Sequence, residues 1–247
     1  MNVTEVEREF NRFILTIPNA EVVDNLNIRK HEGLKVADYF FNNRRIIGEL
    51  KCFEVDTGRK LQELVDKLVE KEKIVFYGQL PFNEVISKLS PNLRVSLEKE
   101  AFELVSTSLE GAYEEANRQI RDTKSNLKLS NSSGFLILLN NSNLALDPKI
   151  AIYKLNQLMN KRKNNGARYE SLNFGIYIST KHYNVNRHEK FYPHFTFINN
   201  NLRNLNTEEE IFIRQFQECY SKLKNIPIYF PEDLKIKDAI ELPFRVD

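Results

Sequence analysis

Val36-Ala37-Asp38-Tyr39-Phe40-Phe41-Asn42-Asn43-Arg44-Arg45-Ile46-Ile47-Gly48-Glu49-Leu50-Lys51-Cys52-Phe53 is the stretch on which the reading of this chain turns. Two β-rich runs, 34–41 and 44–53, flank Asn42-Asn43. Asparagine tolerates the positive φ of a tight turn, so the pattern predicts a hairpin. A two-residue loop pairs 41 with 44, 40 with 45, 38 with 47 and 36 with 49. Side chains alternate along a strand, and directly paired residues share a face. Asp38, Ile47, Glu49 and Lys51 then lie on one face, with Glu49 diagonal to Asp38. The other face takes Ala37, Tyr39, Phe41, Ile46, Gly48, Leu50 and Cys52, all apolar or small. A loop of odd length would break this arrangement.

Outward from the hairpin, Val3, Val6, Phe10, Phe13, Ile14 and Ile17 recur at helical steps, which predicts a helix over 3–17 stopped by Pro18. Leu61, Leu64, Val65, Leu68 and Val69 mark a helix over 58–71, followed by a short strand at 73–77. Residues 81–107 read as one or two helices starting near Pro81 and after Pro91, and 109–128 as a long polar helix. Gly-Phe-Leu-Ile-Leu-Leu (134–139) is a continuous apolar run, the mark of a strand buried on both faces. A helix at 148–162, strands at 172–179 and 193–198, and a helix at 207–224 complete the chain. Helices alternating with strands predict an α/β fold with a mixed central sheet flanked by helices. No linker divides the chain, so 1–247 is expected to be a single domain.

The composition is that of an ordinary globular protein, with 247 residues, 41% hydrophobic and 28% charged. No apolar run approaches the roughly 18–20 residues of a spanning helix, so no membrane association is expected. The N-terminus shows no basic and apolar leader pattern, which points to a cytoplasmic protein. Two cysteines, Cys52 and Cys219, cannot build a disulfide scaffold or a four-cysteine zinc site, and reduced thiols are expected. Net charge is only +2, but Lys154 to Lys190 holds eight Lys/Arg against Glu170 and Glu189. That stretch is either a phosphate-facing surface or an ordinary solvated one.

Asp38, Glu49 and Lys51 on one sheet face are costly unless something uses them, because buried like charges raise each other's pKa and a lone buried lysine loses its proton. A divalent cation between the carboxylates removes the repulsion. Magnesium suits such a site, since it takes oxygen ligands and keeps several waters. It polarises a phosphate and lowers the pKa of bound water, while a neighbouring ammonium orients that water or stabilises charge on phosphorus. This is the chemistry of phosphodiester hydrolysis. An exposed hairpin with ordinary surface charges would carry the same letters.

Asp38, ten residues, then Glu49-Leu50-Lys51 resembles the PD-(D/E)xK motif of the restriction-endonuclease-like nuclease superfamily. Ala37 stands where the motif has proline. The resemblance covers about 1–140 and implies a restriction-endonuclease-like core: a helix, a three-stranded meander, a helix and a fourth strand. That core requires a further strand near 20–35. Residues 141–247 would then be an α/β extension of the same sheet. The resemblance implies a magnesium-dependent deoxyribonuclease, with manganese able to substitute, serving in restriction, repair or defence. Asp38 and Glu49 would bind the metal, joined by the Leu50 carbonyl, and Lys51 would activate or orient the water. Gln119, in Ala116-Asn117-Arg118-Gln119-Ile120-Arg121-Asp122-Thr123-Lys124, resembles the glutamine that some members place near the metal. Glu5 or Glu9 on the first helix would be the helix carboxylate that some relatives add. Lys124, Lys161, Arg162 and Lys163 are expected to meet phosphates of DNA. The alternative is a non-catalytic nucleic-acid- or protein-binding domain on the same fold, a subunit of a larger complex; besides DNA, the partner expected is a second copy of the chain or a partner subunit.

Of the histidines, His182 and His188 fall in a polar loop without the i, i+4 spacing of a helical zinc site, and His194 reads as partly buried. His31 stands apart. No phosphate-binding glycine loop, dinucleotide fingerprint or nucleophile elbow is present, so nothing in the sequence supports an NTPase, a dinucleotide enzyme or a serine hydrolase.

Overall fold

Phe10, Phe13 and Ile14 fall on one side of the first helix, α1 (Glu5–Ile14), and are buried there. The computed structural model describes residues 5–26, 28, 35–73, 85–86, 88–163, 166–185, 191–199 and 204–225, with the side chains of 183–185 and 191–194 left aside. After α1 come β1 (Glu21–Val22), a 3-10 turn (Val23–Asn25), β2 (Tyr39–Phe41) and β3 (Ile46–Phe53). Two helices follow, α2 (Gly58–Lys71) and α3 (Pro91–Asn126), and then β4 (Ser133–Asn140) and α4 (Pro148–Met159). The chain continues through β5 (Arg162–Lys163), β6 (Gly166–Ala167), β7 (Phe174–Val185), β8 (Phe191–Asn199) and α5 (Thr207–Lys224).

A six-stranded mixed sheet has the order β1-β2-β3-β4-β7-β8. β1, β2 and β3 form an antiparallel meander. β4 lies parallel to β3, as a crossover through α2 and α3 requires. β7 is parallel to β4, and β8 pairs antiparallel with β7. β5 and β6 form a separate two-stranded sheet. Helices cover both faces. On one, α1 and α5 pack Phe13, Phe212 and Phe216 against Tyr39, Phe41 and Phe135. On the other, α3 and α4 pack Leu109, Tyr113, Ile120 and Leu155 against Phe40, Ile47, Leu136 and Leu138. β4 runs between both layers, so its side chains are buried on both faces, as its apolar run predicts.

The hairpin loop is longer than the sequence suggests. Phe41 pairs with Ile46, Phe40 with Ile47 and Tyr39 with Gly48, leaving Asn42 to Arg45 in the turn. Asn42, Asn43 and Arg44 all take positive φ, at 49°, 53° and 66°. The two asparagines accept this readily. Arg44 is held there by a 3.0 Å ion pair with Glu21 and by Ser132, whose hydroxyl donates to the Arg44 carbonyl at 2.6 Å. Four residues, like two, keep the parity. The face assignments of Asp38, Ile47, Glu49 and Lys51 therefore survive a register shift of two. Ala37, ahead of the strand, packs instead in the α3-side core with Phe40 and Ile47.

The predicted break between 107 and 109 does not occur: α3 is one helix of 36 residues. Val105, Leu109, Tyr113, Ala116 and Ile120 stay in phase and buried, and this outweighs the roughly 1 kcal/mol cost of solvent-facing Gly111. The predicted strand at 73–77 falls almost wholly outside the described residues. Gly134 sits where a Cβ would lie 1.8 Å from the Ser171 carbonyl oxygen, so only glycine lets the loop before β7 cross the start of β4.

Candidate active site

Asp38 lies just before β2, at the level of Glu49 across the meander. Its Oδ2 accepts the Leu50 backbone N–H at 2.8 Å, so the carboxylate takes the place of a ladder carbonyl at the strand's end. Its own carbonyl accepts from Val23 N at 2.8 Å. The preceding residue is tied to α3, because Ala37 N donates to Thr123 Oγ1 at 2.8 Å and that hydroxyl donates to the Gln119 carbonyl at 2.7 Å. Asp38 is therefore fixed from three sides.

Glu49 and Lys51 point from β3 toward α3. Glu49 is 1% exposed. Lys51 Nζ lies 2.9 Å from Glu49 Oε1, 2.7 Å from Gln119 Oε1 and 3.3 Å from Glu115 Oε2. Glu115 Oε1 in turn accepts from Lys35 Nζ at 2.6 Å. The other Glu49 oxygen, Oε2, is buried with no hydrogen-bond partner.

Burial raises the Asp38 pKa to about 6, helped by Asp24 and Glu7, while the Leu50 N–H and Lys51 pull against it. Burial and then the Asp38 charge push Glu49 well above the usual carboxylate range. Lys51 loses ground to burial, but Glu49 and Glu115 outweigh that loss and hold it above the ordinary lysine value, as an ammonium. Hydrogen bonding from Lys35 first, and the charge of Lys51 after it, keeps Glu115 low and ionised.

The structure thus brings Asp38, Glu49, Lys51 and Gln119 together. It does not bring Lys124 with them. Lys124 Nζ donates to the Ser171 carbonyl at 3.3 Å, beside Gly134 at the far end of β3 and β4. Lys161 is bound to Glu110 at 2.9 Å, and Arg162 and Lys163 stand exposed on β5 in the small sheet. Lys154 and Arg168 of the basic stretch also pair with α3 acids, Glu110 and Glu114. Glu5 and Glu9 face solvent, and the α1 carboxylate that bears on Asp38 is Glu7, two residues from each and so on the other side of the helix. Glu115 and Lys35 went unrecognised in the sequence. The signal for Glu115 was its position four residues before Gln119, on the same side of the helix.

Both cysteines are free thiols, and burial, then Glu7, pushes Cys52 up to about 12. The His182 ring bridges Ser179 Oγ at 2.9 Å and the Leu144 carbonyl at 3.1 Å. His31, His188 and the His194 side chain lie outside the described residues. Among the described residues no helix is long and apolar enough to cross a membrane.

An unpartnered buried carboxylate oxygen beside a second carboxylate suits a small divalent cation. Among the described residues, no three His, Cys, Asp or Glu side chains gather to enclose a metal. A cation at Asp38 and Glu49 would complete its shell with a backbone carbonyl, water or substrate oxygens, as magnesium does. Comparison with family models, with curated proteins and with solved structures returns no match.

Proposed function

We propose that this protein is a magnesium-dependent deoxyribonuclease of the PD-(D/E)xK type, with a restriction-endonuclease-like core. The observation that carries the reading is Glu49: one oxygen held by Lys51, the other buried and unpartnered, in a carboxylate that feels the charge of Asp38. A chain that needed Glu49 only for structure would satisfy both oxygens or use glutamine. The order helix, antiparallel meander, helices, parallel strand also supports the reading, because it is the order the motif resemblance implies.

Asp38 and Glu49 would hold magnesium or manganese, with the Leu50 carbonyl beside them. When bound, the ion supplies phosphate polarisation and a water of lowered pKa. Lys51, an ammonium on three acceptors, has no lone pair with which to take a proton. Its role is to donate hydrogen bonds, orienting the attacking water or meeting charge that grows on the phosphoryl oxygens. Gln119 fixes the ammonium from the helix side. Exposed Arg162 and Lys163 serve phosphate contacts that carry no base reading, while Lys161 and Lys124 are engaged within the protein.

The test is a cleavage assay on linear, circular and single-stranded DNA and on RNA, with and without magnesium, comparing wild type and Lys51→Ala. Cleavage of DNA in magnesium, lost in the variant, supports the proposal. A wild type inert on every substrate in magnesium and in manganese sinks it and favours the non-catalytic binding domain. Neutralising Arg162 and Lys163 should weaken DNA binding at every sequence and make its salt dependence shallower, leaving single-turnover cleavage of bound DNA nearly intact.

A further inference from the structure

A lysine ammonium is a point charge on a flexible stem with three rotatable donors, so its direction is set by its acceptors. Lys51 has three: Glu49 Oε1 at 2.9 Å, Gln119 Oε1 at 2.7 Å and Glu115 Oε2 at 3.3 Å. Only two of these carry charge, and Glu49 is the one that a cation would claim. Glu115 is placed to remain. It lies one turn before Gln119 on α3, and Lys35 holds its outer oxygen at 2.6 Å, so its inner oxygen stays turned toward Lys51. Arg118 stands a further 3.8 Å from that outer oxygen.

We propose that Glu115 is a positioning residue for Lys51, the counter-charge that keeps the ammonium in place when Glu49 shares its charge with a metal. This rests on the nuclease reading for its consequence in catalysis, but its geometry stands apart from that reading. Glu115 does not bind the metal in this arrangement; both its oxygens face lysines. The acid–lysine chain runs from Asp38 and Glu49 through Lys51 and Glu115 to Lys35, from the sheet out to the surface.

The experiment uses the full chain as wild type, Glu115→Gln, Lys51→Ala and the double variant. Glu115→Gln keeps the shape of a side chain that is 35% exposed, so folding should persist, as a thermal midpoint would show. The first readout needs no activity: the side-chain ammonium resonance of Lys51, identified by its absence in Lys51→Ala. A resolved, slowly exchanging signal is expected in wild type and should broaden away in Glu115→Gln. A signal unchanged by Glu115→Gln, or absent from wild type, overturns the proposal. Manganese affinity should change by less than about tenfold, because Glu115 touches no proposed ligand and acts only through Lys51, one contact beyond the outer shell whose loss costs about 10–100-fold. A loss of tenfold or more makes Glu115 a ligand and overturns it too. Single-turnover cleavage should fall roughly tenfold in Glu115→Gln, the effect of one charged hydrogen bond, with no further fall in the Lys51→Ala background. An equal fall in both backgrounds means a merely structural role. Should wild type cleave nothing, the nuclease reading fails, and the resonance and manganese readouts still decide the positioning.

Discussion

Helix α3 carries two acid–lysine clusters little more than a turn apart, and they behave in opposite ways. Around Glu110, Lys161 lies at 2.9 Å and Lys154 at 3.2 Å, and Glu103 lies 3.7 Å from Lys154. Hydrogen bonds from Lys161 and Lys154 hold Glu110 below the usual carboxylate range, with water at hand for what remains. Around Glu115 the same residue types meet the buried end of β3. There Glu49 is pushed up by burial, and one of its oxygens has no partner. The contrast teaches that an ion pair by itself says little about purpose. What sets the second cluster apart is a carboxylate that the fold buries and leaves with an unsatisfied oxygen, and the proposed function rests on that difference.

The largest effect expected from this contrast is on chemistry. Lys51→Ala should lower single-turnover cleavage on the order of 10²–10³-fold, the cost of one transition-state electrostatic contact, while calcium-supported DNA binding stays near wild type. Cleavage at the wild-type rate would place the Lys51 cluster in the same structural class as the Glu110 cluster.

Next comes stability against pH. Asp38 titrates at about 6 in the folded chain against 3.8 as a free side chain, so folding holds its proton more tightly than the unfolded state does. The sign follows: below about pH 4 both states are protonated and there is no penalty, and above about pH 6 the full cost of charging is present. Relative to Asp38→Asn, wild type should lose on the order of 2–3 kcal/mol between pH 4 and pH 7. Denaturant unfolding of both proteins without metal at several pH values measures this, and parallel curves would mean an open, well-solvated carboxylate.

Glu49→Gln should abolish metal-dependent cleavage yet stabilise the metal-free fold at neutral pH by about 1–2 kcal/mol, because it removes a buried carboxylate that is costly to ionise and has an orphaned oxygen. A destabilised variant would show that the Lys51–Glu49 pair outweighs the burial cost. The smallest effect belongs to the other cluster. Glu110→Gln, in a partly exposed setting, should change stability by less than about 1 kcal/mol and leave cleavage untouched. A large loss of cleavage there would erase the distinction between the two clusters.

The alternation of Asp38, Glu49 and Lys51 with apolar neighbours was legible in the sequence, because strand periodicity depends only on parity. A turn of two residues and one of four give the same faces. The apolar run of β4 and the helical phase of Phe10, Phe13 and Ile14 were legible for the same kind of local reason. Loop length, by contrast, was decided by Glu21 and Ser132, which hold Arg44 in a left-handed conformation from distant parts of the chain. The continuity of α3 was decided by the sheet against which it packs. Only the tertiary structure could neutralise Lys154, Lys161 and Arg168 with acids more than forty residues earlier in the chain. It also selected Glu7 over Glu5 and Glu9, and brought Glu115 to Lys51. The physical reason is one of range. Side-chain direction along a strand or helix follows from backbone geometry a few residues wide, whereas a charge acquires its partner, its burial and its pKa from whatever the fold places across from it.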